Sequence, residues 1–146
     1  MMLNLTRKIC HLLPVLGLIA FCQSATAQEA KQELMLELNN AQQVESGCRV
    51  SFLFHNTLAG TISDVAMEVA IMDKAQMTQD FLLISTGRLT QGKRRILQYD
   101  LPDIACADIG TILINDVSDC QINEMTAAQC LDAIRPSSRI DIKLGL

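Results

Sequence analysis

The chain has 146 residues, a formal net charge of −4 and a hydrophobic content of 49%. This length indicates a single domain, and the apolar content is sufficient for a packed core. The mildly acidic balance disfavours nucleic acid and anionic membrane surfaces as partners.

The first 27 residues have the pattern of a secretory signal peptide. Arg7 and Lys8 form a basic start, residues 9–21 are mostly apolar, and Ala25-Thr26-Ala27 places small residues at the −3 and −1 positions. The pattern predicts cleavage before Gln28 and a periplasmic or secreted protein. The apolar run is shorter than the roughly 20 residues of a membrane span, so we expect no stable membrane insertion after cleavage.

The predicted mature domain, residues 28–146, contains seven segments with strand patterns. The clearest begins at Gly47, where Cys48, Val50, Phe52 and Phe54 share one face and mostly polar residues the other, as in a half-buried strand. A short helix is predicted over 126–134, with Thr126 as its cap and Pro136 as its stop. The seven predicted strands are 33–39, 47–55, 62–73, 80–85, 94–100, 109–116 and 138–146. Strands at this spacing predict an all-β fold, namely an immunoglobulin-like antiparallel β-sandwich with one short helix near the C-terminus.

The region 50–100 resembles the FxLYD-type immunoglobulin-like domains of secreted bacterial proteins. The resemblance rests on the apolar strand 50–56 that ends in Asn56, on Val69-Ala70-Ile71-Met72-Asp73 and on the hairpin residues Gly92-Lys93. Val69 and Met72 stand where the family has Phe and Tyr. The part 104–146 looks more like small exported bacterial proteins of unassigned function. Both resemblances imply a scaffold or interaction module and bring no catalytic residue.

Four cysteines remain after the predicted cleavage: Cys48, Cys106, Cys120 and Cys130. An even number in an exported chain predicts disulfides, for which three pairings exist. In an up-and-down count of the strands, Cys48 and Cys106 lie at one end of the sandwich, and Cys120 and Cys130 at the other. Because bonded Cα atoms lie within about 7 Å, this arrangement favours Cys48–Cys106 and Cys120–Cys130.

His55 is the histidine that remains after cleavage, and it raises the question of a metal site. Thioether sulfur is a soft ligand, so His55 with Met67, Met72 and Met77 forms an alternative interpretation, a periplasmic copper-binding protein. The methionines are equally suited to filling the core. An oxygen-rich loop that contains Asp116, Asp119, Asn123 and Glu124 lacks the EF-hand spacing for Ca²⁺.

No nucleophile–base pair, paired carboxylates or phosphate-binding loop can be placed in the sequence, so we expect neither an enzyme nor a cofactor. Lys93-Arg94-Arg95 is a basic cluster in an acidic chain, typical of a solvated hairpin and otherwise of a partner contact. The sequence therefore predicts an exported, non-enzymatic binding or accessory module of the bacterial cell envelope. Under this interpretation, the partner would be another protein of the cell envelope.

Overall fold

The structure is a computed structural model that describes residues 32–146. The predicted signal peptide and its cleavage site lie outside the described residues. Within residues 32–146, no helix is both long and apolar enough to cross a membrane. The described chain forms eight strands: β1 (Leu34–Val44), β2 (Gly47–Asn56), β3 (Asp64–Asp73), β4 (Thr78–Ser85), β5 (Arg94–Pro102), β6 (Ile109–Gln121), β7 (Ile134–Ser138) and β8 (Lys143–Gly145).

The strands form two four-stranded sheets. Sheet 1 has the order β5-β2-β1-β7, and sheet 2 has the order β4-β3-β6-β8. The predicted all-β sandwich is confirmed, with two differences in detail. It has eight strands where seven were expected, and the expected purely antiparallel arrangement is wrong at two edges, because β7 pairs parallel to β1 and β8 pairs parallel to β6.

The core lies between the sheets and is built from alternating side chains, as the strand period requires. Phe52 and Phe54 of β2 are fully buried there, as the sequence predicts. The facing layer comes from sheet 2, where Met67 and Ile71 of β3 are also fully buried. Among the described residues, every buried side-chain nitrogen or oxygen atom has a hydrogen-bond partner.

The first residue of β2 must be glycine because the backbone of β5 passes close to it. Gly47 has a φ of +146°, and a Cβ atom added there would stand 2.1 Å from the backbone oxygen of Leu101 on β5. A larger residue would therefore push β5 away from β2.

The short helix α1 (Ala127–Ala133) lies within the predicted segment. The Thr126 hydroxyl accepts from the Gln129 N–H at 3.3 Å, and the Gln129 side-chain oxygen accepts from the Thr126 N–H at 2.8 Å, which forms a capping box. The helix ends before Pro136, which lies instead on the edge strand β7. An edge strand accommodates proline because its missing N–H faces away from the neighbouring strand.

The prediction of one C-terminal strand over 138–146 is wrong. The chain bends between β7 and β8, and in that bend Ser138 Oγ lies 2.9 Å from the backbone oxygen of Ile140 and 2.6 Å from that of Ile142, either of which can accept its one hydroxyl hydrogen. The two short strands join different sheets. The alternation of Ile140, Ile142 and Leu144 suggests a single strand because a bend of this kind leaves the local pattern unchanged.

Candidate interaction surface on the outer face of sheet 1

The two disulfides of the structure are Cys48–Cys106 and Cys120–Cys130, the pairing that the strand order favours. Their Cα atoms are 4.9 Å and 6.3 Å apart. The first joins β2 in sheet 1 to the 3-10 turn Cys106–Asp108 that leads into β6 in sheet 2. The second joins the far end of β6 to helix α1. All four cysteines therefore hold the fold together.

His55 and the three methionines of the copper hypothesis do not come together. His55 belongs to the outer face of sheet 1, whereas Met67 is fully buried on the inner face of sheet 2. Met72 is also in sheet 2, and Met77 is 63% exposed between β3 and β4. Stacked sheets are about 10 Å apart, so these residues cannot share one metal ion. His55, Met67, Met72 and Met77 therefore do not form one metal site, and copper binding stays a prediction.

Asp116 and Asp119 of the predicted oxygen-rich loop lie on strand β6, so the prediction of a loop is wrong at these two residues. Asp116 accepts a hydrogen bond from the Val117 N–H at 2.7 Å, and Asp119 accepts one from the Gln121 side chain at 2.6 Å. Among residues 32–146, no group of three or more His, Cys, Asp or Glu side chains is placed to hold a metal ion.

A cavity of about 400 Å³ opens at the end of the sandwich near the β3–β4 turn, and three aspartates, Asp73, Asp103 and Asp108, line part of it. The Asp73 carboxylate accepts hydrogen bonds from the backbone N–H groups of Ala75 (2.8 Å) and Met77 (2.9 Å) in the β3–β4 turn. It also accepts one from the Gln79 side chain at 2.9 Å. Asp73 therefore stabilises the turn.

The strand pairing assembles a different surface on the outer face of sheet 1. Met35 on β1 lies opposite His55 on β2, which in turn lies opposite Arg94 on β5. In the next row Leu53 lies opposite Ile96. Facing residues of neighbouring strands have Cβ atoms about 5 Å apart, so these side chains are in contact range. We call this set the Arg94 patch: Met35, Leu53, His55, Arg94 and Ile96.

The Arg94 patch is apolar and accessible. Ile96 is 55% exposed and Met35 is 43% exposed, and Leu53, in the same row as Ile96, is half-buried. A shallow depression of about 110 Å³ lies among Met35, Leu53, His55 and Arg94. Isolated exposed apolar residues are normal, but a contiguous group with a polar rim is typical of a binding surface.

Two ion pairs flank the Arg94 patch, and Arg94 belongs to neither of them. Arg139 forms an ion pair with Glu37 at 3.0 Å, and Arg135 forms one with Glu33 at 3.1 Å. The hydrogen bonds from Arg139 and then Asn39 lower the pKa of Glu37 below its usual value, and the charge of Arg94 also contributes. Arg94 itself has no ion-pair or hydrogen-bond partner among the described residues. Glu37 lines the same depression as Arg94 and is already paired with Arg139, so two arginines share one carboxylate there and a net positive charge remains beside apolar side chains.

The basic cluster Lys93-Arg94-Arg95 is divided by the fold. Lys93 precedes β5 in the turn, Arg94 points outward, and Arg95 donates a hydrogen bond to the Thr86 backbone oxygen at 2.9 Å. Sequence analysis identifies the cluster but misses the companions of Arg94, because Met35 and Leu53 come from distant segments. Their signal in the sequence is weak, since each is only one apolar residue on the outward side of a strand.

Comparisons with known proteins support the fold alone. A solved structure of IrmA from Escherichia coli superimposes with a TM-score of 0.53 at 13% sequence identity, covering 71% of this chain and 90% of the IrmA chain. No protein-family model matches the chain. No curated protein matches it. The resemblance to FxLYD-type domains therefore stays a prediction.

Proposed function

We propose that the protein is an exported, non-enzymatic binding module of the bacterial cell envelope, and that the Arg94 patch is its contact surface. The observation that carries the proposal is Arg94, which has no ion-pair partner closer than 4 Å among the described residues, beside the exposed Ile96 and Met35 on the outer face of sheet 1. Arginine next to exposed apolar side chains is a composition typical of protein–protein contact sites.

The chemistry of the patch indicates the kind of partner. Arg94 favours a carboxylate, with which its guanidinium forms two parallel hydrogen bonds. The apolar residues around it favour an aliphatic or aromatic side chain beside that carboxylate. We therefore propose that the partner is an envelope protein with an acidic segment that also carries apolar residues.

Two disulfides support the exported location, because disulfides form and persist in oxidising compartments such as the periplasm. The predicted leader supports the same location. N-terminal sequencing of the periplasmic fraction tests this part: we expect a protein that starts at Gln28. Protein that retains Met1 and stays in the membrane fraction would contradict export with cleavage.

The binding proposal is tested by chemical cross-linking and affinity capture from envelope extract, followed by affinity measurement with the captured protein. We expect Arg94→Glu and Ile96→Asp each to weaken binding at least tenfold. Lys93→Glu makes a charge change of the same size one residue away from the patch, and Met77→Asp places a charge on a similarly exposed residue between β3 and β4. Both control variants should bind as the wild type does. Equal loss in the patch variants and the controls would contradict this surface.

A further inference from the structure

The edge strand β4 differs from the other three edges of the sandwich. Natural edge strands avoid pairing with other chains through shortness, proline and basic side chains. β5 begins with Arg94-Arg95, β7 contains Arg135-Pro136, and β8 is only 3 residues long. β4 has 8 residues and contains no lysine, arginine or proline. It is the edge of the described domain that lacks these protections.

The free backbone groups of β4 can be located from its hydrogen bonds. The N–H of Phe81 donates to the Asp80 carboxylate at 2.8 Å, and the N–H of Ser85 donates to the Tyr99 hydroxyl at 3.0 Å. These groups point away from β3. Because this direction alternates along an antiparallel strand, the N–H and C=O of Leu83 point the same way. Within residues 32–146, the outward-pointing N–H and C=O of Leu83 have no hydrogen-bond partner.

The same residues expose large apolar side chains. Phe81 is 55% exposed and Leu83 is 60% exposed, both on the outer face of sheet 2. Phe81 lies opposite Ala70 on β3, which lies opposite Leu113 on β6. An apolar row therefore runs across sheet 2 and ends at the unprotected edge.

We propose that β4 pairs antiparallel with β4 of a second copy of this chain, about a two-fold axis at Leu82. In this register the backbone of Phe81 faces the backbone of Leu83 in the other copy, and the reverse holds by symmetry. Two hydrogen-bonded residue pairs then satisfy the outward groups of Phe81 and Leu83 in both copies. The result is a continuous sheet in which each copy contributes its four strands.

The charges and the length of the free edge favour a second copy as the occupant. In this register each Asp80 lies opposite Ile84 of the other copy, so the two carboxylates do not oppose each other. Phe81 and Leu83 meet across the axis, which gives two apolar cross-strand pairs on one face. The Tyr99 hydroxyl occupies the backbone groups of Ser85, so the free part of the β4 edge is short. A short antiparallel segment can pair with the same segment of a second copy about a two-fold axis. An interface this small predicts a concentration-dependent dimer.

This inference is independent of the proposed function, because it concerns the opposite sheet. Sedimentation of the exported protein over a wide concentration range tests it. We expect a monomer–dimer equilibrium whose dissociation constant rises at least tenfold in Leu83→Lys. Ile96→Lys is the matched control, since Ile96 is similarly exposed but lies on sheet 1. A monomer at every concentration, or equal effects of the two variants, would overturn the proposal.

The Asp80 side chain supplies a second test with the opposite sign. It accepts the hydrogen bond of the Phe81 N–H that the dimer would redirect to the Leu83 C=O of the other copy. Asp80→Ala removes this competitor, so we expect the dissociation constant to fall several-fold. A higher dissociation constant in Asp80→Ala would contradict the pairing.

Disulfide trapping tests the register. The four native cysteines of the described domain are paired, so a new cysteine on β4 meets only its copy in the dimer. At a two-fold axis on Leu82, the two residues 82 form a non-hydrogen-bonded pair with Cα atoms about 4.5 Å apart, within disulfide range. We expect Leu82→Cys to cross-link faster than Phe81→Cys, whose partner position is Leu83. The reverse order would overturn this register.

Discussion

The hydroxyl group of Tyr99 binds both backbone groups of Ser85. It accepts the Ser85 N–H at 3.0 Å and donates to the Ser85 C=O at 3.3 Å. Tyr99 belongs to β5 of sheet 1 and Ser85 to β4 of sheet 2, so one side chain joins the edges of the two sheets. Its ring packs edge-on against Phe52, with centroids 6.1 Å apart. Tyr99 therefore fixes how β4 lies against the rest of the sandwich.

Removing the Tyr99 hydroxyl should weaken this link while the ring packing stays. We expect Tyr99→Phe to lower the free energy of unfolding by about 1 kcal/mol, the usual net value of such hydrogen bonds. Urea denaturation measures this change. Faster hydrogen exchange at the Ser85 amide should accompany it, and unchanged exchange would contradict the role of Tyr99 as a clamp on β4.

Asn56 is a fully buried amide that holds two loops together. Its side-chain nitrogen donates to the backbone oxygens of Gly60 (2.7 Å) and Leu89 (2.9 Å), and its side-chain oxygen accepts the Leu58 N–H at 3.0 Å. Asn56→Ala leaves these backbone groups unsatisfied, so we expect a loss of about 2–3 kcal/mol in unfolding free energy. Asn115→Ala, at an exposed position, should change it by less than about 0.5 kcal/mol. Similar losses in both variants would contradict a special role for Asn56.

Phe52 is completely buried at the centre of the core. Phe52→Ala should cost about 3–5 kcal/mol in denaturant melts, because it removes apolar contacts and leaves a cavity. Phe81→Ala is the matched control, since Phe81 is 55% exposed and fills no core space. We expect a cost below about 1 kcal/mol for the control under monomeric conditions. A cost below about 1 kcal/mol for Phe52→Ala would contradict its burial.

The two disulfides should differ in their consequences. The separation across Cys48–Cys106 is 58 residues and that across Cys120–Cys130 is 10. Loop-closure entropy then gives stabilisations of about 4 and about 3 kcal/mol. We expect the double mutant Cys48→Ser/Cys106→Ser to lose stability as a whole domain, because that bond joins the sheets.

The matching double mutant Cys120→Ser/Cys130→Ser should retain the sandwich and loosen the contact of α1 with β6. Thermal unfolding with hydrogen exchange mapped along the chain distinguishes the two variants. Global loss of protection in the second variant would show that the sandwich itself depends on the Cys120–Cys130 bond.

The Glu37–Arg139 ion pair predicts a defined pH dependence. The hydrogen bond from Arg139 lowers the pKa of Glu37 in the folded state. A lowered carboxyl pKa stabilises the fold at a pH above the unfolded pKa, and this stabilisation is lost as the pH falls through the folded pKa. We therefore expect the loss on acidification below about pH 4 to be smaller in Arg139→Gln. An NMR titration should show the Glu37 midpoint moving up in that variant, and an unchanged midpoint would contradict the cause.

Local patterns in the sequence determine which face of each strand is buried. The alternation from Cys48 to Phe54 places Phe52 in the core, and Thr126 marks the start of the helix, because both depend on neighbours within a few residues. The exported character also follows from a local pattern, the predicted leader, and stays a prediction. The disulfide pairing can be predicted from the sequence because the predicted strands place two cysteines at each end of the sandwich, and bonded Cα atoms must lie within about 7 Å.

Only the tertiary structure decides which outward residues become neighbours. Met35, His55 and Arg94 lie in three strands far apart in sequence, and their contact follows from the pairing of β1, β2 and β5. The break between β7 and β8 is also non-local, since each segment gains its hydrogen bonds from a different sheet. Strand order depends on the burial of the whole core, which no short window of sequence contains. The sequence shows which residues point outward from each strand, but only the pairing of the strands brings them together into one proposed binding surface.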